Sequence, residues 1–151
     1  MNKRRLLKLA DMLEADAKNK KGIKFDLDYV GVAEDWSEDY QPALNCGTVA
    51  CAMGLAAISG EFKRAGLSYK TDGIWVETTI NGRRRDYDRA AMHVFGISEL
   101  QAAFLFNASY YQGNTKGARG ERNVAKRIRD LVAGKVEAKQ IAPDPIQFIG
   151  W

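Results

Sequence analysis

The chain has one histidine, His93, and two cysteines, Cys46 and Cys51. A thiol and an imidazole are the minimum of a nucleophilic pair, provided they come within hydrogen-bond reach and a third group orients the ring. Cys46 lies in the stretch NCGTVACAMGLAAISG, residues Asn45 to Gly60. With Asn45 as a helix cap, Cys46 falls in the first turn, where unpaired amides and the helix dipole favour a thiolate. That pattern supports one reading, a Cys46/His93 hydrolase or transferase. The rest of the stretch points to packing. Gly47, Ala50, Gly54 and Ala57 recur at i, i+3, i+7 and i+10, a stripe of minimal side chains on a helix from about Asn45 to Phe62. Cys51, Leu55, Ile58 and Phe62 mark a second face. A mid-helix glycine costs about 1 kcal/mol relative to alanine, and a close helix crossing offsets that cost. On this reading Cys46 is a buried or capping thiol, no catalytic residue is favoured, and the chain is not expected to be an enzyme.

The basic residues form two constellations suited to a different chemistry. Arg119, Arg122, Lys126 and Arg129 share one ridge of a last helix, opposite Val124 and Ile128. Arg83, Arg84 and Arg85 follow Asn81-Gly82, a pair that between two extended runs signals a tight hairpin. Pairing across that turn sets Ile80 opposite Arg83, Thr79 opposite Arg84 and Thr78 opposite Arg85, so the arginines alternate faces. The planar donor fork of arginine suits phosphate oxygens. The ridge then reads as a phosphate-facing surface and the hairpin as a mobile clamp.

The elements that must position these groups follow from periodicity. Asn2 caps a first helix whose apolar stripe is Leu6, Leu9, Ala10, Leu13 and Ala17, with Gly22 as its stop. FDLDYVGVAEDW reads as a short strand or ordered loop, and its acids Asp26 to Asp39 as an acidic surface segment. LSYK, IWVETTI and RRRDYD give a hairpin or three-stranded meander. A short helix spans about Asp88 to Phe95, stopped by Gly96. Ser98 and Gln101 form a capping box for the next helix. YYQGNTKGARGE reads as a glycine-rich loop, a final helix as about Glu121 to Ala133, and IAPDPIQFIGW as an extended tail that docks through Phe148 and Trp151. The expectation is a single α+β domain over residues 1–151, mainly helical, with about five helices around the small-residue helix.

Composition narrows the function classes. With 151 residues, 46% hydrophobic and 28% charged, the chain is that of one ordinary globular domain. No run of 18 apolar residues is present, so no membrane span is expected. Two cysteines give no disulfide framework, which favours a cytoplasmic setting. Cys46, Cys51 and His93 lack the count and spacing of a structural zinc site, and no motif calls for a cofactor. The net charge is +4 and unevenly distributed: residues 2–24 carry eight Lys or Arg against three acids, residues 25–61 seven acids and no Lys or Arg, and residues 113–140 eight against three.

CGTVACAMG, followed some forty residues later by FGISELQAAFLF, resembles a pattern of small bacterial and phage proteins that have no established activity. The resemblance covers the middle third to half of the chain and implies a small cytoplasmic, mobile-element-borne protein. The cysteine-led segment also resembles, more loosely, that of papain-like enzymes, whose histidine sits on a strand whereas His93 reads as helical. The leading expectation is a non-catalytic binding protein that engages nucleic acid or a phosphate-bearing ligand through the helix ridge and the hairpin. The alternatives are a phage or bacterial effector that binds a host protein, and the Cys46/His93 enzyme.

Overall fold

The N-terminal apolar stripe becomes helix α1 (Lys3–Lys18) in the computed structural model, which describes residues 1–19, 24–27, 32–33, 48–71, 76–85 and 87–139. Asn2 caps α1 by accepting from the Arg5 amide at 3.1 Å, and Leu6, Leu9, Ala10 and Leu13 are fully buried. The helix ends at Asn19, before Gly22. Helix α5 (Gly117–Val132) packs antiparallel along it through Val124, Ala125, Ile128 and Leu131. α5 starts four residues earlier than its apolar pattern predicts. The Asn114 side chain accepts from the Lys116 amide, and Gly120 lets the first turn lie against Thr115, because a Cβ there would come within 2.4 Å of the Thr115 carbonyl carbon.

Within the segment expected to be helical from Asn45 to Phe62, the described residues, 48–62, divide between a strand and a helix. Thr48–Ala50 is strand β3, which pairs in parallel with β1 (Lys24–Phe25) and antiparallel with β2 (Val32–Ala33). Only Ala52–Ser59 is helix α2, ended by Gly60 in the left-handed region. Two adjacent β-branched residues, Thr48 and Val49, favour the strand over the helix. Cys51 is therefore not mid-helix; its backbone is extended and its buried Sγ caps α2, accepting from the Gly54 amide at 3.3 Å. The stripe through Gly47, Ala50, Gly54 and Ala57 is thereby interrupted. The packing role remains: seven of the eight α2 residues, Ala52 to Ile58, are buried.

A three-stranded antiparallel sheet follows, formed by β4 (Leu67–Thr71), β5 (Val76–Ile80) and β6 (Arg83–Arg84) in that order. Helix α3 (Tyr87–Phe95) and helix α4 (Glu99–Phe106) complete the architecture, the latter with both hydrogen bonds of the Ser98/Gln101 capping box. The protein is thus α+β and mainly helical, with five α-helices among the described residues. One hydrophobic cluster draws on all five, and Phe95 sits within it, edge-on to Phe62 and tilted against Phe106. No helix among the described residues is long and apolar enough to cross a membrane. Residues 140–151, and with them the expected docking of the tail, lie outside the described residues.

Candidate anion-binding site

The hairpin tip is built by two successive left-handed residues, Asn81 (φ 51°) and Gly82 (φ 76°). Such a turn matches the twist of the flanking strands. Its register is the expected one, with Ile80 opposite Arg83 and Thr79 opposite Arg84, and the Arg85 amide donates to Thr78 O at 3.1 Å. The tip is held rather than hanging as a clamp. The Asn81 amide donates to Gly66 O at 3.0 Å, Thr78 Oγ1 donates to Arg85 O at 2.7 Å, and Thr78, Thr79 and Ile80 are buried. Gly66 (φ 88°) has to be a glycine, since a Cβ there would lie 2.4 Å from Asn81 Oδ1.

Arg83, Arg84 and Arg85 are all exposed on this platform. Residues 83 and 85 share one face of the strand, and both line a cleft of about 520 Å³ whose other walls are Ile80, Asn81, Arg89 and His93. Arg89 and His93 are spaced i, i+4 on α3 and so share one helical face; both are exposed. Four basic side chains from two elements therefore border one concavity. Sequence reasoning assigned the arginines to binding and His93 to a thiol, and it did not connect them. The i, i+4 spacing of Arg89 and His93 is the local signal of their shared face; their approach to the hairpin depends on how α3 packs against β5. Arg84 and Arg89 each already interact within the protein. Arginine has five N–H donors and can keep one partner while binding another.

The expected ridge on α5 is not a row of four available cations. Arg129 turns to α1, where its Nε donates to Glu14 Oε1 at 2.9 Å and its Nη2 to Asp11 Oδ1 at 2.6 Å and Glu14 Oε2 at 3.0 Å. Those carboxylates push the guanidinium pKa further up, and Arg129 in turn holds Glu14 below its usual range. Lys126 pairs with Asp130 one turn on. Arg119 and Arg122 remain exposed. Arg127, outside the ridge, is structural: its Nη1 donates to Phe104 O and Tyr110 O, and its guanidinium stacks 3.6 Å from the Tyr111 ring centroid.

Cys46 lies outside the described residues, as does most of the acidic segment expected over residues 26–39. Asp26, which is described, is not a surface acid. It is 8% exposed, its carboxylate lies 3.2 Å from Lys116 Nζ, and its backbone bridges to Lys116. Among the described residues, no three His, Cys, Asp or Glu side chains are grouped to hold a metal ion. No known protein family, curated protein or solved structure matches this chain. The class defined by fold and site is a mainly helical α+β protein with a basic cleft between a hairpin and a helix.

Proposed function

We propose that this protein is a binding protein for a phosphate-bearing ligand, and that the hairpin–α3 cleft is where it binds. The observation that carries this reading is the convergence of Arg83, Arg85, Arg89 and His93 on one concavity. An anion between them can accept charge-assisted hydrogen bonds from several arginine forks at once. Asn81 adds a neutral amide at the rim. The α5 ridge is secondary on this reading, since Arg129 and Lys126 are engaged by Asp11, Glu14 and Asp130.

Calorimetric titration with pyrophosphate and a dinucleotide at low salt tests the proposal. The expected result is saturable binding that the double substitution Arg83→Ala/Arg85→Ala weakens at least tenfold, while Arg119→Ala/Arg122→Ala changes it less than threefold. Equal losses from both pairs, or binding by neither probe, would refute the cleft as the site.

A further inference from the structure

The C-terminal end of α3, beyond His93 of the cleft, meets the N-terminus of α1. The Asn2 amide donates to Phe95 O at 2.6 Å and Arg5 Nη1 donates to Val94 O at 2.9 Å, so the first turn of α1 docks on the last turn of α3. Arg89, His93 and Gly96 are exposed at i, i+4 and i+7, in one line along α3. Beside Gly96 the backbone of Met1 and Asn2 passes within 4 Å of where a Cβ would stand. The line of exposed residues from the hairpin thus runs on to the cations Lys3 and Arg4, both exposed in the first turn of α1.

Lys3 and Arg4 are poorly placed for stability. The first turn of α1 has three successive cations and no acid, although the positive end of a helix dipole favours anions there. Arg5 escapes this penalty by reaching the carbonyl end of α3. An external anion beside Lys3 and Arg4 would offset this clustering of positive charge.

From these placements, and resting on the phosphate-binding reading of the cleft, we infer that the ligand is a chain of phosphates, one strand of a nucleic acid. It runs from the hairpin along Arg89 and His93 to Lys3 and Arg4. The seven steps from Arg89 to Gly96 span about 10 Å, the axial length of about three phosphates on one strand of a duplex. A mononucleotide occupies the cleft alone and leaves Lys3 and Arg4 unused.

The test is binding of pyrophosphate and of thymidine oligonucleotides of two, four, eight and sixteen residues, with polyglutamate as a polyanion lacking phosphate. Affinity is expected to rise at least tenfold from the dimer to the octamer. Lys3→Ala/Arg4→Ala should weaken the octamer about fivefold or more and leave the dimer unchanged. Each lost phosphate contact on a single strand lowers the dependence of log affinity on log salt by about 0.7, so the double substitution should flatten it by about 1.4. Alanine is the strongest helix former, so α1 is retained. Length-independent affinity with pyrophosphate still bound would overturn the strand inference and leave the cleft standing. Absence of binding by every probe would remove both. Polyglutamate binding as tightly as the octamer would assign the strip to an acidic polypeptide instead.

Discussion

Glu121 is 2% exposed at the α1–α5 contact, beside Asp16. Asp16 Oδ2 and Glu121 Oε1 are both buried with no N–H or O–H donor from any other group. Burial, then the hydrogen bond and the charge of Asp16, push the Glu121 carboxyl up to about 9, against a weaker downward pull from Arg122. The folded state therefore holds a proton that the unfolded chain releases near pH 4.5. A raised folded pKa means that this contribution is full at low pH. It declines as pH rises from about 4.5 to about 9. Glu14, held low by Arg129, acts in the opposite sense: its contribution is present above the ordinary carboxylate range and lost on acidification. Glu121→Gln supplies an uncharged donor to Asp16, and thermal melts at pH 5 and pH 8 read the result. The variant should gain about 2 kcal/mol at pH 8, roughly 4–8 °C in Tm for a chain of this size, and little at pH 5. An equal change at both pH values would mean that Glu121 is ionised in the folded protein.

At the scale of elements, the hairpin joins fold to site through one glycine. Gly66 has φ 88° and accepts the Asn81 amide, and a side chain there would collide with Asn81 Oδ1. Gly66→Ala should destabilise the protein by about 1–3 kcal/mol and also weaken pyrophosphate binding severalfold, because Arg83 lies two residues beyond Asn81. Chemical denaturation and calorimetry on the same sample check both; unchanged binding in a destabilised variant would separate the hairpin tip from the site. This element was legible in the sequence because its determinants are local. Asn81-Gly82 fixed the turn, and a period of two fixed which residues face each other. The Asn2 cap, the Ser98/Gln101 box and the stripes of α1 and α5 were legible for the same reason. The β1–β3–β2 sheet was not. Its strands are two or three residues long, and β1 pairs with β3 across more than twenty residues, which leaves no local pattern. The same limit applied to Arg129. Its helical spacing placed it on the ridge, and only its partners 115 and 118 residues away show that it ties α5 to α1.

Across the whole molecule, charge acts at two ranges. Arg83, Arg85, Arg89 and His93 line the cleft, whereas Arg119 and Arg122 are exposed on α5 and border none of it. On the proposed function, contacts within the cleft set how long an anion stays. Distant cations act only through the field, which extends about 30 Å at 0.01 M salt and about 8 Å at 0.15 M. Their effect therefore belongs to the association rate and fades with salt. Arg119→Gln/Arg122→Gln removes two charges from a net +4 without touching the cleft. Stopped-flow measurement with a labelled octanucleotide should show association slowed about two- to fourfold at 0.01 M salt and unchanged within error at 0.15 M, with the dissociation rate constant throughout. Arg83→Ala/Arg85→Ala should do the reverse, raising the dissociation rate at both salt concentrations. Faster dissociation from the α5 pair at 0.15 M would mean that those arginines touch the ligand, and the binding surface would then have to include the N-terminal half of α5.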